Sequence, residues 1–213
     1  MSRTRENILS KLRGQERAVK HPAAWRSRQQ FPDLLARFTE SLTAAKGELF
    51  YAPNLAEALT QVDMILKELQ ATRIVANLES PLSDLDLPAR YPAIKWHLVG
   101  QSDSDLRSFC ASADVGISSA DAALAETGTL VISSGAQHSR LATLLPPVHL
   151  ALVPTSRLTT DIFTWSAARQ GQLAANVVLV SGPSKTGDIE MTLVMGVHGP
   201  KRFIVVLYEY EER

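Results

Sequence analysis

The stretch that decides the fold runs from Glu48 to Leu78, ELFYAPNLAEALTQVDMILKELQATRIVANL. Leu49-Phe50-Tyr51 is a short apolar and aromatic run, the signature of a strand. Leu55, Leu59, Val62 and Leu66 then recur at helical spacing, which predicts a helix over 55–69 with one apolar face. Arg73-Ile-Val-Ala-Asn-Leu78 reads as a second strand. Strand, helix and strand in sequence make a βαβ unit, and such units build a largely parallel sheet with right-handed crossovers. Ligand sites in such sheets lie at the carboxyl ends of the strands.

Working outward, Ile8, Leu9 and Leu12 mark a helix over 2–13, with Gly14 as its stop. Residues 15–30 are polar and basic and read as a linker. A helix follows Phe31-Pro32-Asp33, with Leu34, Leu35, Phe38 and Leu42 on one stripe. Downstream, the prolines at 81, 88 and 92 make 79–93 largely loop. Strands are expected at 96–99, 115–117, 129–132, 148–153, 177–180 and 203–208, and helices at 104–112 and 160–170. The expected architecture is α/β, a mostly parallel central sheet flanked by helices. An N-terminal helix and linker arm would occupy 1–31 and the α/β domain 32–213.

The 213 residues are 45% apolar and 21% charged, ordinary globular usage. Lys+Arg and Asp+Glu both total 22, so the basic excess of a nucleic-acid binder is missing. Cys110 is the single cysteine. One thiol can form neither a disulfide nor a four-thiolate cluster or zinc site within the chain, and it favours a reducing compartment. Cys110 sits in a predicted helix and reads as a buried structural thiol. With no signal-peptide core and no run of about 18 apolar residues, a cytoplasmic protein without a membrane span is expected. The five histidines are dispersed, without metal-ligand spacing, so no metal site is expected.

Three segments carry candidate chemistry. In Ala120-Asp-Ala-Ala-Leu-Ala-Glu-Thr-Gly-Thr129, Asp121 and Glu126 are carboxylates among apolar residues, where a raised pKa would suit a base or nucleophile. Gly128 permits a tight turn before a strand. The competing reading is structural: a capping Asp121 and an ion-paired Glu126. In Ser181-Gly-Pro-Ser-Lys-Thr-Gly-Asp-Ile-Glu190, hydroxyls and glycines follow an apolar strand, and the backbone N–H groups of such a turn can form an anion nest charged by Lys185. Ser181, Gly182, Ser184 and Thr186 would line it. The segment lacks the glycines of a phosphate-binding P-loop. In Met195-Gly-Val-His-Gly-Pro200, His198 lies between glycines, accessible and titrating near neutrality.

Together these segments resemble the signature of the lactate-utilisation protein C family, built on the LUD domain, over roughly residues 32–208. Gly187 stands where alanine is common in that pattern. The resemblance implies a fold similar to ribose-phosphate isomerase and coenzyme A transferase enzymes. It also implies a non-redox role in oxidising L-lactate to pyruvate, beside two proteins that carry the iron–sulfur clusters. No cofactor is expected in this chain. The implied pocket would hold a small carboxylate or phosphate ligand. Its ligand-binding residues would be Thr127, Gly128, Ser181, Gly182, Ser184, Lys185, Thr186, Asp188 and Glu190, with Glu126, Asp121 and His198 as catalytic candidates in one shared cleft. Ala125-Glu-Thr-Gly128 is also similar to the motif that carries the nucleophilic glutamate of coenzyme A transferases. An autonomous acyl-coenzyme A transferase or sugar-phosphate isomerase using Glu126 is the alternative, and a structural adaptor without a ligand is a third.

Overall fold

The structure, a computed structural model, describes residues 3–13, 25, 27–169, 174–187, 193–196 and 198–210. The chain begins with helices α1 (Arg3–Arg13) and α2 (Leu34–Ala44). Asp33 starts α2, its Oδ1 accepting from the Ala36 N–H at 2.9 Å. Strand β1 (Glu48–Ala52), helix α3 (Leu55–Glu68) and strand β2 (Arg73–Ala76) form the expected βαβ unit. Asn54 caps α3 in the same way, through the Glu57 N–H at 2.9 Å. The proline-rich stretch is loop interrupted by a 3-10 turn over Leu82–Asp84 and one short α-helix, α4 (Leu87–Arg90). Strand β3 (Lys95–Leu98), helix α5 (Leu106–Ser112) and strand β4 (Val115–Ser118) follow.

Beyond β4 come β5 (Ala122–Leu124), β6 (Thr129–Ser133), α6 (Arg140–Leu144) and β7 (Val148–Pro154). Then come β8 (Leu158–Thr159), α7 (Ile162–Ala168) and β9 (Val177–Val180). The chain closes with the hairpin β10 (Lys185–Gly187) and β11 (Leu193–Met195) and with β12 (Arg202–Tyr208). Six strands form one sheet in the order β1-β12-β7-β4-β2-β3, parallel at every pairing.

The central strands β12, β7 and β4 are buried on both faces, which is why β7 and β12 read as long apolar runs. Ile204, Val206 and Tyr208 of β12 join α3, Leu82 and Leu87 on one face. Phe203, Val205 and Leu207 point to the other, where Phe38 and Leu42 of α2 and a second sheet cover them. That second sheet, β8-β5-β6-β9, is mixed: β5–β6 and β6–β9 are antiparallel, β5–β8 parallel. Its outer face packs Ala122, Leu124 and Val131 against Ile162 and Trp165 of α7. The second sheet, β10–β11 and α6 were not anticipated from the sequence. The linker expected over 15–30 falls largely outside the described residues, and the helix expected over 160–170 is observed as Ile162–Ala168, with Arg169 already extended. Among the described residues no helix is long and apolar enough to cross a membrane.

Candidate functional site

Two of the three motif turns meet at the amino ends of β7 and β12. Ser184 donates its N–H to Pro200 O, and Gly196 donates to Ser184 O, both at 2.8 Å. These bonds lock the turn after β9 onto the turn before β12. Between them lies a cavity of about 220 Å³ lined by Ser181, Gly182, Ser184 and His198, closed by Thr143, Leu179 and Phe203. Gly182, at φ +130°, lies under the end of α2, where a Cβ would stand 2.6 Å from Ala45 O; only glycine allows that approach. Lys185 turns away from the cavity, its Nζ donating to Ala45 O at 2.9 Å, where a cation complements the helix carbonyls. Thr186 lies on β10, and Asp188 and Glu190 lie outside the described residues.

The Asp121–Thr129 motif divides between two other places. Glu126 and Thr127 form the β5–β6 turn, docked on α2: Ser41 Oγ donates to Glu126 O at 3.1 Å. The Glu126 carboxylate accepts from Gln29 Nε2 at 2.9 Å and does not line the cavity. A hydroxyl chain links the turns, since Thr129 Oγ1 lies 2.7 Å from both Thr127 Oγ1 and Ser181 Oγ. Gly128, at φ +63°, presses on α2, where a Cβ would meet Leu42 N at 2.2 Å. Asp121 accepts a short hydrogen bond from Ser133 Oγ and lines a separate hollow of about 380 Å³ with Trp165 and Arg169. The shared cleft expected for Asp121, Glu126, Lys185 and His198 is therefore not formed. Asp121 follows β4 at the carboxyl edge of the sheet, whereas Ser184 and His198 sit at the amino edge.

The carboxyl edge holds polar residues that sequence reasoning missed. Glu79, just past β2, accepts the Ser119 N–H on Oε1 at 2.6 Å, while its buried Oε2 has no partner within the protein. Burial pushes this carboxyl up to about 7, with Asp121 adding repulsion and Arg157 opposing it. Ser119, just past β4, is fully buried, and its Oγ is also unpartnered. Arg157 donates Nη1 to Ala120 O at 2.5 Å and Nη2 to Ser80 O at 3.4 Å. Tyr208, ending β12, is buried with an unpartnered hydroxyl, and burial pushes its phenol up to about 12. The one signal in the sequence was the placement rule for parallel sheets. Glu79 opens a proline-rich loop and Arg157 lies in a turn, so neither belongs to a motif.

Cys110 is fully buried, and burial pushes its thiol up to about 11, away from nucleophilic use. Among the described residues no three metal-ligating side chains converge.

The family model of the LUD domain matches residues 35–208. The chain belongs to the LUD domain family. A lactate utilization protein C of Halalkalibacterium halodurans is 42% identical over 46% of this chain and 45% of its own length. One from Exiguobacterium is 34% identical over 68% of this chain and 64% of its own length. A Neisseria meningitidis protein described as uncharacterized is 38% identical over 46% of this chain and 43% of its own. The LUD domain chain thus spans about half the length of the curated relatives it matches. A crystal structure of a DUF162 family protein from Deinococcus radiodurans superposes with a TM-score of 0.57. It covers 82% of this chain and 96% of its own at 18% identity, a likeness of fold.

Proposed function

We propose that this LUD domain chain serves lactate utilisation as a non-redox subunit beside iron–sulfur partner proteins that carry the electrons of L-lactate oxidation to pyruvate. In this reading the cavity at the amino ends of β7 and β12 holds a small carboxylate or phosphate-bearing ligand. The observation that carries it is the convergence of Ser181, Gly182, Ser184 and His198 on one cavity. Two hydroxyls, a glycine backbone and an imidazole are groups that recognise an oxyanion. The relatives named for lactate utilisation support the pathway, and one buried cysteine supports placing the clusters on partners. Thr127 and Thr129 hold Ser181 in place, and Lys185 supplies positive charge beside the turn. Glu126 and Asp121 stand outside the cavity and take no part in this reading.

Two measurements test it. Inorganic phosphate or L-lactate should raise the unfolding temperature, as any ligand selective for the native state must. Ser184→Ala should then weaken binding roughly tenfold, the loss of one charge-assisted hydrogen bond. If neither compound shifts the transition, the pocket reading falls. Affinity capture from cells growing on lactate should retain iron–sulfur proteins, and capture without them would refute the subunit role.

A further inference from the structure

The geometry points to a second ligand site, at the carboxyl edge of the six-stranded sheet. There Glu79, Ser119 and Arg157 together bind a small carboxylate that also carries a hydroxyl or carbonyl oxygen. The Glu79 side chain is held against Ser119, whose backbone N–H donates to Glu79 Oε1 at 2.6 Å. That bond leaves Glu79 Oε2 and the fully buried Ser119 Oγ without a protein partner. Buried polar groups are almost always hydrogen-bonded, and here two unpaired oxygens belong to residues in direct contact. A structural role accounts for Oε1 and leaves the other two atoms unexplained.

Arg157 fixes the ligand's charge. It uses one N–H on each terminal nitrogen, for Ala120 O and Ser80 O, and a guanidinium carries five donors in a planar fork. The remaining three suit a carboxylate. Glu79 and Arg157 are partly exposed and Asp121 is exposed, so the edge borders solvent directly beside the two buried oxygens. Burial raises the Glu79 carboxyl to about 7, so it is mostly neutral below that pH, and its Oε2–H can then donate to an uncharged oxygen on the ligand. Ser119 Oγ can donate or accept at the same oxygen. The charged groups around Glu79 are Asp121, which disfavours a second anion, and Arg157, which favours it. The site is separate from the Ser184 cavity and does not rest on it.

Glycolate and acetate, which differ by one hydroxyl, test the proposal by amide NMR titration of the full chain. Glycolate should shift the amides of residues 77–80 and 119–121 and bind about tenfold more tightly than acetate. Glycolate affinity should fall about tenfold between about pH 6 and 8 as Glu79 ionises. Glu79→Gln keeps a donor and should abolish that pH dependence. Ser119→Ala removes a hydroxyl without a protein partner, so it should leave the unfolding temperature unchanged and lower glycolate affinity several-fold while leaving acetate affinity unchanged. The proposal is overturned if neither acid shifts those amides, or if Glu79→Gln retains the pH dependence. It is equally overturned if Ser184→Ala, rather than Ser119→Ala, removes glycolate binding, which would place the ligand in the turn cavity.

Discussion

Glu79 and His149 are titratable groups with partly or wholly buried side chains, and they tilt stability in opposite directions with pH. The Glu79 carboxyl is raised from 4.5 to about 7. The native state therefore binds more protons than the unfolded chain between those values, and stability falls as pH rises through that window. His149 is fully buried, its Nε2 2.8 Å from Ser118 Oγ and its ring stacked on Phe203. Burial pushes its imidazole down to about 3. Here the unfolded chain binds more protons below 6.5, so this contribution is lost as pH falls from 6.5 towards 3. Urea denaturation across pH should show both. Glu79→Gln should gain about 2 kcal/mol on wild type at pH 8 relative to pH 5, and His149→Gln should flatten the acid limb. Unchanged slopes in both variants would show that these groups do not titrate in a shifted range.

At the scale of elements, α2 is the clamp that places the motif turns. Gly128 packs under Leu42, Gly182 under Ala45, and Lys185 bonds the same Ala45 carbonyl. Gly128→Ala should cost more than about 2 kcal/mol, because a side chain at positive φ adds to a collision with helix backbone that cannot rotate aside. Lys185→Met, which keeps the apolar stem, should cost only about 0.5 kcal/mol and lose its effect in high salt. Chemical denaturation separates the two. The periodicity of Phe38 and Leu42 made α2 legible in the sequence, as did the apolar runs of β7 and β12. Strand β5 was not legible: Ala122-Ala-Leu124 has weak strand propensity and is held extended by pairing with β6 and β8. Helix α6 is too short for a periodic signal, and Ser139 capping the Leu141 N–H was its only mark. The motif residues were legible as turns. Their separation onto opposite sheet edges was not, because no local pattern encodes which strand end a turn occupies.

For the whole molecule, the order β1-β12-β7-β4-β2-β3 places the last strand of the chain between the first and the seventh. Ile204 pairs across to Glu48 on one side and Leu150 on the other, with no side-chain exposure. Arg202 anchors the strand's start, donating to both Glu48 carboxylate oxygens at 2.7 and 2.8 Å and to Glu68 at 2.8 Å. These ion pairs are partly exposed and contribute little beside the apolar burial. Contacts of such long sequence separation close late, since the entropy of the intervening chain is lost before they form. The core should therefore open as one unit that includes β12. Ile204→Ala should cost about 3 kcal/mol, whereas Met64→Ala, at a 50% exposed position, should stay within about 0.5 kcal/mol. In native-state hydrogen exchange, amides of β7 and β12 should exchange only through global unfolding, and Ile204→Ala should accelerate both strands equally. Amides of β12 exchanging faster than those of β7 would mean that the final strand detaches alone. The six-stranded sheet would then not be a single cooperative unit.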